Sequence, residues 1–210
     1  MHFAPWNIDN GKILTRREMA LVLADLKARG QRSPNARFNL ILFRLAACCG
    51  LRVSEIAHLN FGDVDVGKFR PHVRVRPEGA KGGRPRRVPL WWDAGTLADI
   101  AAWKAARLAQ GAKPGDPFLT SQRAGAATHP LSRHTLRRRF LTACRALGLE
   151  RIGALTIHHG RHTFISHALA GGRTLAEVRD AAGHANVSVT SAYLHVAVDG
   201  EEGPGELFRF

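Results

Sequence analysis

Several residue types that mark other protein classes are scarce or missing in this chain of 210 residues. Only three cysteines occur, at Cys48, Cys49 and Cys144, and no Cys-x-x-Cys pair exists. This usage is typical of buried thiols in a reducing compartment and excludes a disulfide framework. No apolar run is long enough to span a bilayer, and the start of the chain lacks the basic-then-apolar layout of a signal peptide. These absences predict a cytoplasmic protein.

Acidic residues are also scarce, with 17 Asp and Glu against 31 Lys and Arg, so the net charge is +14. Such an excess favours a polyanionic partner, with nucleic acid ahead of a membrane surface. A basic protein that is merely soluble is the alternative. The hydrophobic content of 45% is ordinary for a globular protein, and the length suffices for one domain with a sizeable core.

Apolar periodicity and capping signals predict a mainly α-helical domain with one small antiparallel hairpin, an α+β class. The hairpin has strands over 72–76 and 86–90, joined by a basic turn over 79–85. Helix starts are predicted at or near Thr15, Ser33, Ser54, Asp93, Ser132, Thr156 and Thr174, and a last helix is predicted to carry Val189, Tyr193 and Val196.

Tyrosine is the scarcest of the residue types that can act as nucleophiles, because Tyr193 is the only tyrosine in the chain. A phenol among basic residues can attack phosphate. A lone tyrosine is more often an interfacial aromatic with a hydrogen-bonded hydroxyl. The decision between these interpretations depends on the rest of the chain.

Four separated motifs with residues suited to phosphate chemistry follow one another along the chain. They are Gly-Leu-Arg-Val-Ser-Glu over 50–55, a lysine at position 81 in the hairpin turn, His-His-Gly-Arg over 158–161, and Gly-His over 183–184 followed by Tyr193. This order resembles the catalytic domain of the tyrosine recombinases, or phage-integrase family, over about residues 14–196. Gly160 and Ala182 stand where that family usually has leucine.

The resemblance implies the tyrosine recombinase catalytic-domain fold and a set of catalytic roles. It assigns them to Arg52, Lys81, His158, Arg161, His184 and Tyr193, with Glu55 supporting the first arginine. Two guanidiniums would stabilise a five-coordinate phosphorane while Tyr193 attacks. Lys81 would protonate the leaving 5′-oxygen, His158 would accept or relay the tyrosine proton, and His184 would bind the phosphate. The product would be a 3′-phosphotyrosyl link, formed without a cofactor, metal or ATP.

Other basic residues are candidates for binding double-stranded DNA. The family places the helix before its His-x-x-Arg motif in a major groove, which here indicates Arg133, Arg137 and Arg138. The hairpin adds Arg84, Arg86 and Arg87 as phosphate contacts. A solvated basic face is the alternative for the helix. The histidines over 158–167 include no His-Glu-x-x-His, so no metal site is predicted, and His159 and His162 are expected to pack or to bind backbone groups.

The predicted organisation is an irregular lead-in over 1–13, a catalytic domain over 14–198 and an acidic, then apolar, tail over 199–210, without the family's N-terminal core-binding domain. The expected function is site-specific DNA recombination or integration, with self-association to a dimer or tetramer on DNA and no membrane partner. The setting would be a bacterial nucleoid or a mobile element. A type IB-like topoisomerase and a catalytically silent DNA-binding accessory protein are the alternatives.

Overall fold

The computed structural model describes residues 10–67, 69–78, 85–120 and 130–194. Residues 1–9 of the predicted lead-in, Lys81, Arg84 and the tail lie outside these ranges. The α-helices within them are α1 (Arg16–Gly30), α2 (Pro34–Phe43), α3 (Val53–Ala57), α4 (Ala94–Ala109), α5 (Arg133–Ala143), α6 (Leu149–Ala154), α7 (Ile157–Ala170), α8 (Leu175–Ala182) and α9 (Val187–Ser191), and short 3-10 helices occur at Asn10–Lys12, Phe61–Asp63 and Cys144–Leu147. The strands are β1 (Val64–Asp65), β2 (His72–Val75) and β3 (Arg86–Pro89).

The strands form one antiparallel sheet in the order β1-β2-β3, which confirms a mainly α-helical fold with a small sheet. In the hairpin, Val73 pairs with Val88 and Val75 pairs with Arg86, so the valines share the buried face. The sequence does not predict strand β1, because two residues are too short to show an alternating pattern.

Capping side chains begin most helices where the sequence predicts. The side chains of Thr15, Ser33, Asp93, Ser132 and Thr174 each accept a hydrogen bond from a backbone N–H of the first helical turn. These bonds satisfy donors that the helix itself leaves without partners. The sequence does not predict the short helix α6, because its six residues include only two large apolar side chains, Leu149 and Ile152, and are too few to show helical periodicity.

The segment after α2 departs from regular α-helical geometry. Helix α2 ends at Phe43, and Arg44–Cys48 form a π-helical turn in which Cys49 N donates to Arg44 O at 2.9 Å. The Arg44 guanidinium is buried and forms ion pairs with Asp93 at 3.1 Å and Asp99 at 2.7 Å. The two carboxylates compensate the buried charge and tie this turn to α4.

The C-terminal end also differs from the prediction. Helix α9 stops at Ser191, and Tyr193 lies in the turn that follows, where its N–H donates to Thr190 O at 3.1 Å. Val196 lies outside the described residues. In the described part of the chain, no helix is both long and apolar enough to cross a membrane.

Candidate active site

Glu55 is the buried acidic centre of the site. Its side chain is 1% exposed, and its Oε1 accepts a hydrogen bond from Arg52 Nη1 at 2.9 Å. Arg86 of β3 forks onto both carboxylate oxygens at 2.8 Å each. Burial by itself would raise the pKa of Glu55, but the hydrogen bonds and charge of Arg86, aided by Arg52, lower it. Glu55 is therefore a carboxylate that orients two arginines.

Arg161 is held by carbonyl groups at the ends of two helical segments. It is 6% exposed; Nη1 donates to Gly50 O at 2.8 Å, and Nη2 donates to Ala182 O. Arg86 Nε donates at 2.8 Å to Ala181 O. The last carbonyls of a helix lack intrahelical partners and carry partial negative charge, so they suit guanidiniums. The end of α8 thus positions Arg86 and Arg161 together.

Two glycines with left-handed backbone shape these helix ends. Gly183 has φ +67° and ends α8, and a Cβ there would lie 2.8 Å from Arg86 Cδ. Gly50 has φ +63°, and a Cβ there would lie 2.3 Å from a ring carbon of Phe164. Both positions require glycine, because a side chain would be strained and would collide. The Gly-Leu-Arg and Gly-His motifs therefore have a backbone role beside their charged residues.

Tyr193 lies close to two histidine rings. Its hydroxyl is 2.6 Å from His162 Nδ1, and the two rings lie 5.7 Å apart at an interplanar angle of 28°. The centroid of the His184 ring is 6.4 Å from that of the phenol at an interplanar angle of 24°, and His184 Nδ1 is 2.9 Å from Thr190 Oγ1. The phenol is 5% exposed and is thus docked against α7 within its own chain.

The site holds its cations charged and its histidines neutral. Burial and the charges of Arg52 and Arg86 lower the pKa of Arg161 to about 9, so Arg161 stays protonated at neutral pH. Burial, followed by nearby positive charge, lowers the pKa of His162 and of His184 to about 4. Burial raises the pKa of Tyr193 to about 12, although the Arg161 charge opposes this. These shared effects require the arginines, histidines and phenol to lie close together.

Arg52, Glu55, Arg161, His184 and Tyr193 thus converge from four separate segments. His158 lies on the exposed first turn of α7. Lys81 and Arg84 are outside the described residues. Exposed positions are also occupied by the side chains of Arg87, Arg133, Arg137 and Arg138.

Two side chains differ from their expected positions. Arg86, expected as a DNA contact, has a side chain only 7% exposed, because Glu55 and Ala181 occupy its guanidinium. His162, expected to pack or bind backbone, instead contacts the tyrosine hydroxyl. Nothing local in the sequence indicates either contact, since the partners are 31 residues apart in both cases. The one hint in the sequence is that a histidine directly follows Arg161.

The centre can bind a phosphate and present an oxygen nucleophile to it. Two of the five N–H donors of Arg161 are used by carbonyls, which leaves others for a non-bridging oxygen. The Arg52 side chain is 18% exposed and has one nitrogen on Glu55. Over the described ranges, no group of three His, Cys, Asp or Glu side chains is arranged to hold a metal ion.

The fold and this centre define the catalytic-domain class of the tyrosine recombinases. The model of the Phage integrase family matches residues 12–199, and the chain belongs to that family. It is 36% identical over 155 residues to a tyrosine recombinase XerC of Rhodospirillum centenum, covering 74% of this chain and 41% of that protein. The chain spans less than two thirds of the length of such curated relatives.

Solved structures of low sequence identity share the fold. The XerH site-specific recombinase in a post-cleavage complex with a palindromic difH substrate has a TM-score of 0.68 at 20% identity, covering 90% of this chain and 51% of that one. A lambda integrase tetramer bound to a Holliday junction has a TM-score of 0.61 at 21% identity, covering 86% and 47% respectively.

Proposed function

We propose that this chain cleaves and rejoins DNA strands in site-specific recombination through a covalent link to Tyr193. The observation that carries the proposal is the convergence of Arg52 and Arg161 beside the single tyrosine of the chain. Family membership and the recombinase names of the relatives support it.

The reaction would proceed by in-line displacement at phosphorus. The Tyr193 oxygen forms a bond to the phosphorus while the bond to the 5′-oxygen breaks, which leaves a 3′-phosphotyrosyl link and a free 5′-hydroxyl. Arg52 and Arg161 would stabilise the added negative charge of the transition state, with His184 as a further phosphate ligand. Lys81 would give the leaving oxygen its proton. A second 5′-hydroxyl can then reverse the reaction without ATP or metal.

Glu55 and Arg86 would serve this chemistry by holding other groups. Glu55 fixes one edge of the Arg52 guanidinium. Arg86 spans Glu55 and the end of α8, the same helix end that holds Arg161. We infer that Arg86 is a positioning residue that keeps the two phosphate-binding arginines in register.

The partner would be double-stranded DNA, bound by a dimer or tetramer of recombinase subunits. Exposed Arg87, Arg133, Arg137 and Arg138 would contact its phosphates. The assembly is inferred from the lambda integrase tetramer on a junction. The proposed catalytic domain covers residues 14–198, with the tail over 199–210 following it.

A nicked suicide duplex tests the proposal, because loss of a short 5′-fragment traps the covalent intermediate. We expect a denaturation-resistant protein–DNA adduct with the wild-type chain and none with Tyr193→Phe. An adduct that persists in Tyr193→Phe contradicts the nucleophile. Relaxation of supercoiled DNA regardless of sequence would support a topoisomerase, and binding without any adduct would support an accessory protein.

A further inference from the structure

The hydroxyl of Tyr193 has a specific partner in His162, a residue that the family motif does not assign. The 2.6 Å distance to Nδ1 is that of a strong hydrogen bond, and the ring of His162 faces the phenol. His162 also directly follows Arg161 on α7, so one helix turn presents both a phosphate ligand and a partner for the nucleophile.

His162 and Tyr193 are both neutral at pH 7, so the tyrosine hydroxyl can donate a hydrogen bond to the imidazole. The pKa of His162 is lowered to about 4 and that of Tyr193 is raised to about 12. A neutral imidazole that carries its proton on Nε2 accepts the phenolic O–H at Nδ1. That tautomer leaves the ring able to take the proton when the phenol oxygen attacks.

The neighbouring histidines are placed differently relative to the hydroxyl. His184 faces the tyrosine ring, but its Nδ1 is engaged with Thr190 Oγ1. His158, which the resemblance assigns as proton acceptor, lies on the exposed side of the first turn of α7. The ring nitrogen Nδ1 of His162 lies at hydrogen-bonding distance from the reacting oxygen.

We propose that His162 accepts the Tyr193 proton as the phenol oxygen bonds to phosphorus, and returns it when the strand is rejoined. The proton moves from Tyr193 Oη to His162 Nδ1, the Oη–P bond forms and the P–O5′ bond breaks. The departing 5′-oxygen receives a different proton, from Lys81. The inference rests on the proposed function, because it assigns a role within that same strand transfer.

The charges around His162 link this role to bound DNA. After burial, the groups that disfavour its protonated form are His159, His158, Arg161 and Lys12. A phosphate bound at Arg161 places negative charge where this positive charge now acts, which favours the imidazolium. His162 therefore becomes a competent base when the scissile phosphate is bound, and remains neutral otherwise.

Two substitutions separate hydrogen bonding from proton acceptance. His162→Asn retains an oxygen acceptor without a titratable base, and His162→Ala removes both. In single-turnover cleavage of the suicide duplex we expect both variants to be at least about 100-fold slower, in the range of a lost general base. His72→Asn is the matched control, since His72 lies on strand β2 with its Nδ1 on Arg70 O, and it should cleave at the wild-type rate.

A modified DNA distinguishes the attacking oxygen from the leaving oxygen. A 5′-bridging phosphorothiolate has a leaving sulfur that needs no proton donor. It should restore cleavage by Lys81→Ala and should not restore cleavage by His162→Asn, because His162 acts on the tyrosine. Equal restoration of both variants would overturn the inference.

The outcomes also separate this inference from the proposed function. If Tyr193→Phe forms no adduct while both His162 variants cleave within threefold of wild type, the role of His162 alone fails. If Tyr193→Phe still forms the adduct, the nucleophile itself fails. Nitrogen-15 NMR of wild-type histidines provides a test that does not require folded variants: an Nδ1-protonated His162 would overturn the inference, and an Nε2-protonated ring would support it.

Discussion

At the residue scale, Glu55 is the charge on which two arginines depend. Its carboxylate is buried and accepts hydrogen bonds from the side chains of Arg52 and Arg86 and from the backbone N–H of Arg52. Removal of one partner from a buried ion pair is costly because the other charge is left uncompensated. Glu55 thus links the stability of the domain to the geometry of its phosphate-binding group.

We predict that Glu55→Gln lowers the free energy of unfolding by about 3 kcal/mol. It should also slow adduct formation on the order of 100-fold, since Arg52 loses its anchor. Urea unfolding and single-turnover cleavage measure the two effects. Glu177→Gln is a suitable control, because Glu177 caps α8 at an exposed position, and it should cost less than about 1 kcal/mol. Equal losses in the two variants would contradict the role of Glu55.

At the element scale, the backbone of α7 at Gly160 packs directly against the backbone of the π-helical turn at Ala46. A Cβ on Gly160 would lie 3.0 Å from the carbonyl carbon and oxygen of Ala46. The leucine that the family usually has at this position therefore does not fit unless α7 moves away. Arg161 and His162 follow on the same helix. The small residue at 160 therefore allows α7 to approach closely enough for Arg161 to contact Gly50 O.

We predict that Gly160→Ala lowers the free energy of unfolding by about 1–3 kcal/mol through overpacking, although alanine is the better helix former. Gly153→Ala is the matched control, since a Cβ on that helical glycine meets nothing within 4 Å. It should raise stability by up to about 1 kcal/mol. Thermal melting of the two variants in parallel measures the difference, and stabilisation by both would contradict the close contact.

At the scale of the whole molecule, the positive charges behind the net charge of +14 fall into two groups, buried arginines and exposed arginines. Arg44, Arg86 and Arg161 are buried on carboxylates or carbonyls. Arg137 and Arg138 are exposed on α5. Among the described arginines, we expect the exposed ones to contribute most to the salt dependence of DNA binding, because their counterions are released when they contact phosphates.

We predict that combined Arg137→Glu and Arg138→Glu weakens DNA binding. It should also reduce the salt dependence of the affinity by about one unit of slope for each DNA phosphate that the variant no longer neutralises. Fluorescence anisotropy at several salt concentrations measures both effects. Lys113→Glu, on the loop after α4, is a charge-reversal control and should change the slope less. Unchanged affinity of the double variant would exclude α5 from the interface.

Buried histidines predict loss of stability in acid across the whole domain. Burial lowers the pKa of His162, His167 and His184 to about 4, whereas an unfolded histidine titrates near 6.5. The unfolded state thus binds more protons between these values, and the free energy of unfolding falls as pH decreases from about 6.5 to 4. Urea unfolding at each pH measures the slope, which His167→Gln should reduce by up to about 1.4 kcal/mol per pH unit. A pH-independent stability over this window would contradict the prediction.

Local structure is predictable to the extent that its causes are local. The sequence predicts helix starts at Thr15 and Thr174, because each capping hydroxyl and the backbone N–H that it binds are only three residues apart. The π-helical turn at Arg44 is not predictable, since its buried ion pairs reach carboxylates 49 and 55 residues away. Likewise, the contact of Arg52 with Glu55 is predictable because the two residues are three apart. The position of Arg86 is not predictable, because it depends on a carbonyl of α8 that is 95 residues away.

The family, the mainly helical class and the order of the residues that bear the chemistry can be predicted from the sequence, because motifs and periodicity lie along the chain. Only the folded chain shows that Arg86 supports Glu55 and is not a surface contact, and that His162 contacts the hydroxyl of Tyr193. Folding also brings Gly50 to Arg161 across 111 residues. These contacts depend on how the helix ends and the sheet pack together, and no spacing within one segment encodes that packing.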